Sequence, residues 1–112
     1  MTENSIKETA FQLNSELIEN INKLDSEALK ANFGINPAVL EEIKEELFDY
    51  FQTSNLPQLK IDPAKFSIFK YNTAKGFGIE AGLFTADGKE TELTLHTEFD
   101  NNQLKFKLIE VM

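Results

Sequence analysis

The sequence predicts an α+β domain: N-terminal helices packed on one face of a curved four-stranded antiparallel meander. Two observations carry this. Apolar residues recur at steps of three and four up to Phe51, and at steps of two from Phe66 onward. The strands so marked follow one another through short turns containing Gly, Asn and Asp, with no helical pattern between them. One domain is expected, with helices over about 5–53, a connection over 54–65 and the sheet over 66–112. A chain of 112 residues buries about 65% of its unfolded surface on folding, enough for a single core.

The first helix is expected from about Ile6 to Leu24. Ser5, with Glu8 three residues on, has the form of a capping box. Ile6, Ala10, Leu13, Leu17, Ile21 and Leu24 make one stripe. Phe11 and Ile18 lie well to the side of it, where either a second helix covers them or they form a partner or dimer surface. Asp25 or Ser26 caps a short helix that stops at Gly34. In "NPAVLEEIKEELFDYFQ", Asn36 as N-cap and Pro37 in the first helical position begin a third helix. Leu40, Ile43, Leu47 and Phe51 form its buried side. Glu41, Glu42, Glu45, Glu46 and Asp49 fall opposite.

"TSNLPQLKIDPAK" has two prolines and no clear period, so it reads as a connection. Four strands follow: "FSIFKY", "FGIEAGLFT", "ETELTLHTEF" and "LKFKLIEVM". The first is apolar on both faces, which leaves its inward side open. "ADG" at 86–88 suits a three-residue hairpin loop with Gly88 left-handed. That loop pairs Leu83 with Thr91, Ala81 with Leu93, Ile79 with Leu95 and Phe77 with Thr97. A turn at Asn101-Asn102 pairs Phe99 with Leu104, Thr97 with Phe106 and Leu95 with Leu108. Together the two turns direct Ile79, Ala81, Leu83, Leu93, Leu95, Phe99, Leu104, Phe106 and Leu108 toward the core. Ile109 and Val111 then point outward, on the face shared by Phe84.

The stretch "KGFGIEAGLF" carries three glycines and superficially suggests a phosphate loop. A phosphate site needs a helix opening on the glycines, so that its free N–H groups meet the anion. Here the following residues alternate as a strand, and no Walker-type Lys-Ser or Lys-Thr pair follows. Gly76 is expected to close a turn. Gly78 and Gly82 open the outer sheet face to bending or to close approach of another group.

Composition narrows the function. The formal charge is −8, from 19 acids and 11 bases, and every base is Lys. The dominant electrostatic term in nucleic-acid binding has the wrong sign here, whereas the charge is compatible with a basic protein partner. With no Cys and one His, thiolate metal sites and Cys nucleophiles are excluded, and a His-centred metal site needs carboxylates for its other ligands. No metal or other cofactor is expected. The N-terminal stretch lacks a signal-peptide pattern and no segment has the length and apolarity of a membrane span, so a soluble, cytoplasmic protein is expected. His96 is the one conventional general base, set beside Glu80 and Lys107 on the solvated sheet face with no oriented partner. Tyr50 and Tyr71, near the ends of a helix and a strand, are the candidate pocket residues.

The stretches "ELIENINKLDSEALKANFG" and "DNNQLKFKLIEVM" resemble the first two helices and the final strand of NTF2-like (cystatin-like) domains. The resemblance implies a bent antiparallel sheet wrapped around helices to leave a cone-shaped pocket. It also implies a range of roles: enzymes, binders of small apolar ligands, dimers formed through the sheet face, and immunity-type interaction proteins. No catalytic residue of the family's isomerase branch is matched here.

The residues lean away from an enzyme. The leading expectation is a small acidic binding domain acting on a protein partner, such as an immunity-type inhibitor of a basic toxin. Its candidate surface is Glu41, Glu42, Glu45, Glu46 and Asp49 with Phe84, Ile109 and Val111. The alternatives are self-association through the sheet face and a pocket that holds a small apolar ligand or performs isomerase- or hydrolase-like chemistry.

Overall fold

Capping chemistry divides the first half of the chain into three helices. The computed structural model describes residues 3–53, 55–71 and 75–111. Helix α1 spans Glu3–Lys23, α2 Ser26–Phe33 and α3 Pro37–Phe51. Between α1 and α2 the backbone turns left-handed at Leu24, and Asp25 N–H donates back to Asn20 O at 3.1 Å. This six-to-one bond is a Schellman closure. Asp25 then accepts from Ala28 N–H, and Gly34 ends α2 in the left-handed region. Asn36 accepts from Val39 N–H at 2.9 Å and starts α3 directly before Pro37.

Two details of α1 differ from the sequence reading. Ser5 lies inside the helix, because α1 begins at Glu3 rather than after a Ser5 cap. Leu24 is exposed, because the left-handed closure carries it off the apolar stripe. The buried stripe is Ala10, Asn14, Leu17, Ile18 and Ile21. It is rotated toward the side where the pattern left Ile18 unexplained. Phe11 meets Phe66 edge to face, with ring centroids 5.1 Å apart. The sheet, rather than a second helix, therefore meets Phe11, and Ile18 is fully buried in the core.

Strand β1 spans Leu59–Lys70, β2 Phe77–Thr85, β3 Glu90–Asp100 and β4 Gln103–Val111, in the order β1-β2-β3-β4. All neighbours are antiparallel. The fold is thus α+β, with helices first and an open meander after them. Strand β1 begins seven residues before the expected Phe66. Leu59 and Ile61 alternate into the core, and the register against β2 then breaks between Ile61 and Phe66. Pro63 sits in that break on an edge strand, where its missing N–H interrupts no ladder. Of the ambiguous "FSIFKY" residues, Phe66 turns inward and Phe69 outward.

The β2–β3 hairpin has the expected loop, with Gly88 at φ +93° and Thr85 N–H donating to Lys89 O. Beyond it the register shifts between Gly82 and Phe84, so Ala81 meets Leu95 and Ile79 meets Thr97. These pairings lie two residues from those expected, which preserves the faces. The Thr91 hydroxyl still reaches its expected neighbour, donating to Leu83 O at 2.7 Å.

The β3–β4 turn also matches as far as Thr97 with Phe106, and then shifts by one residue. A one-residue bulge exchanges the faces. Ile109, expected outside, is 5% exposed; Leu108, expected inside, is 41% exposed.

The inner face of the sheet and the helices enclose one core. Leu17, Ile18, Leu29, Ile79, Leu83, Leu93 and Leu95 are all fully buried in it. Each such side chain contributes about 1.5–3 kcal/mol of transfer free energy. Asn14 and Thr97 are buried in the same layer, where Thr97 Oγ1 donates to Asn14 Oδ1 at 2.9 Å.

Candidate functional site: an acidic groove beside the edge strand

Helix α3 turns Leu40, Ile43 and Leu47 into the core. By the 100° step of the helix, its carboxylates face away from that side. Glu42, Glu45, Glu46 and Asp49 line one wall of an open groove of about 430 Å³, together with Val39 and Ile43. Phe106, Lys107, Leu108 and Ile109 of β4 form the other wall. The fold therefore brings most of the expected acidic surface against β4.

Glu41 stands apart, held by Lys44 at 3.0 Å. Among the described residues no cation pairs with the four groove carboxylates, and the Nζ of Lys107 lies 3.9 Å from Glu98 instead. Glu42 with Glu46, and Glu45 with Asp49, are like-charge pairs at i,i+4. Each costs the helix about 0.2–0.5 kcal/mol.

The apolar members of the candidate surface separate. Ile109 lines the groove as a buried residue, not as an outward one. Val111 is exposed at the end of the same strand. Phe84 lies on the outer sheet face, paired with Lys60 and Glu90 two strands away from β4.

The two candidate pocket tyrosines do not share a cavity. The Tyr50 hydroxyl accepts from Glu92 N–H at 2.9 Å and ties the end of α3 to the start of β3. Tyr71 stands at the other end of the sheet, in a cleft of about 340 Å³ lined by Lys75, Phe77, Glu98 and Lys105. No helix residue lines that cleft, so it does not lie between the layers. Burial first, and then the hydrogen bond and negative charge of Glu98, push the Tyr71 phenol above its ordinary range. A larger cleft of about 800 Å³ between α2 and β4 mixes Glu16 with Lys30 and Lys105, so it has no single sign.

His96 is less solvated than the sequence implied, with its side chain 17% exposed. Its Nε2 lies 2.8 Å from Glu110 Oε1, and its Nδ1 lies 4.0 Å from Glu80. The bulge in β4 explains the new neighbours, because it sets Leu108 and not Lys107 opposite His96. Among the described residues no group of three or more His, Asp or Glu side chains is arranged to hold a metal ion. Nor is any described helix long and apolar enough to cross a membrane.

The bare glycines are occupied from within the chain. A Cβ on Gly78 would collide with the Phe69 ring, which crosses the outer face there. At Gly82 the Lys65 side chain of the irregular stretch in β1 comes to 3.0 Å. Close approach by β1 itself accounts for both.

The features that sequence reasoning missed are Asn14, Thr97 and Asn22, all polar groups satisfied across the layers. The one available signal was the polar Asn14 standing inside an apolar stripe. Comparison with known protein families, curated proteins and solved structures finds no match.

Proposed function

We propose that this protein is a non-catalytic binding domain that recognises a basic surface on a protein partner through the α3–β4 groove. The observation that carries this reading is the groove's wall of four carboxylates, unpaired among the described residues, set beside a strand wall of Phe106, Leu108 and Ile109 whose one cation, Lys107, lies near Glu98. Such a wall speeds encounter with a cationic surface and rejects acidic ones. A bound cation also relieves the like-charge pairs along α3. The apolar part of the opposite wall supplies surface that is desolvated on binding, where affinity concentrates. An immunity-type inhibitor that neutralises a basic toxin fits this chemistry, since inhibition needs tight occlusion and no catalytic group.

Co-precipitation from extracts of the source cells tests the proposal. At low ionic strength the wild-type chain retains a basic protein, and the Glu42→Lys, Glu45→Lys variant loses it. Recovery of nothing but the chain itself would overturn the reading.

A further inference from the structure

We infer that the partner presents an extended, lysine- or arginine-bearing segment that adds as a fifth strand to the free edge of β4; this rests on the basic-partner reading above. The sheet has two edges, and the chain treats them differently. At β1, the Asn22 side chain occupies both backbone groups of Leu59, and the irregular stretch around Pro63 breaks the ladder further along. These devices close the first half of that edge to other strands; the regular run Phe66–Lys70 beyond them lies on the edge opposite β4, away from the strand that faces the acidic groove.

Strand β4 pairs with β3 alone. Its bulge and Lys107 interrupt the first half of its edge. Beyond them Leu108, Ile109, Glu110 and Val111 pair regularly with His96, Leu95, Thr94 and Leu93. That leaves about 14 Å of regular template, with Leu108 and Val111 exposed.

Spacing and charge specify the occupant. Glu42 and Glu46, like Glu45 and Asp49, are four residues apart on α3, a rise of about 6 Å. Side chains on one face of a strand recur every 6.8 Å or so. Cationic residues at alternate positions of an added strand therefore match successive carboxylates, and the intervening side chains meet Leu108 on the other face. A second copy is a poor occupant. Its own β4 carries Lys105 and Lys107 at alternate positions, but pairing the two 108–111 runs would set Glu110 rather than a cation in the strand, and a second acidic α3 would come to the same groove.

An alternating Lys–Val heptapeptide provides the test, followed by amide NMR and hydrogen exchange. The control is the same peptide N-methylated at two consecutive central residues, which blocks both of its edges. The alternating peptide is expected to bind and to slow exchange of β4 amides in 108–111. The N-methylated peptide should bind at least about tenfold more weakly, since main-chain bonds supply much of the affinity in strand addition. Equal binding of the two peptides, with no amide protection, overturns strand addition and leaves the basic-partner reading standing. If neither peptide binds, strand addition also falls, and the co-precipitation result judges the basic-partner reading by itself.

Discussion

The side-chain amide of Asn22 pairs with the backbone of Leu59 as a neighbouring strand would, donating to its carbonyl at 2.8 Å and accepting from its N–H at 2.9 Å. This joins the end of α1 to the first residue of β1 and satisfies an edge that no strand covers. Asn22→Ala removes both bonds and leaves a buried residue's peptide groups unpaired. The expected loss is about 2 kcal/mol, read as a lower urea midpoint at unchanged slope. A loss below about 0.5 kcal/mol, the range of surface substitutions, would mean that water replaces the amide without penalty.

The Asn14–Thr97 pair predicts strong coupling. Asn14 Nδ2 donates to Ala10 O at 2.7 Å while its Oδ1 accepts from Thr97. Thr97→Val or Asn14→Leu alone strands one buried polar group, at about 1–3 kcal/mol each. The double variant should cost clearly less than the sum, because it removes both partners together. Simple additivity in a double-mutant cycle would contradict the pairing.

Two glycines share a backbone angle but differ in their surroundings. Gly76 and Gly88 both have φ +93°. A Cβ on Gly76 would lie 2.8 Å from Phe99 O, whereas nothing stands within 4 Å of one on Gly88. Both Ala variants incur the left-handed penalty of about 1–2 kcal/mol. Gly76→Ala adds a backbone clash, so it should be the more destabilising of the two by thermal or urea unfolding.

Tyr71 carries a pH prediction. Its phenol is raised above the ordinary range, first by burial and then by Glu98. Between the unfolded and folded values the unfolded state loses its proton first, so this contribution is present below about pH 10 and is lost as pH rises. In a Tyr50→Phe background the phenolate absorbance reports Tyr71 alone. Adding Glu98→Gln should move its titration down toward the ordinary range. An unmoved titration would remove Glu98 as a cause.

What the sequence disclosed, and what it concealed, divides along physical lines. Local chemistry was legible: Asn36 with Pro37 starts α3, Gly34 ends α2, and Gly88 closes its hairpin, because each signal is complete within a few residues. The carboxylate face of α3 followed from the helical step. The β4 bulge was hidden, because both Leu108 and Ile109 are apolar and either suits the core; the bulge decides between them. Strand β1 was read too short because Pro63 imitates a loop signal, although an edge strand tolerates it. The groove itself was not legible. That α3 lies against β4 depends on long-range packing, which no local period reports.

The most direct test of the proposed function is the ionic-strength dependence of partner capture by the wild-type chain and by the Glu42→Lys, Glu45→Lys variant. Exposed charges are screened within about 8 Å at physiological salt, so capture of a basic protein should weaken steeply as salt rises. It should be absent from the charge-reversed variant at every salt concentration. Capture that is insensitive to salt and equal for both chains would contradict recognition through the acidic groove.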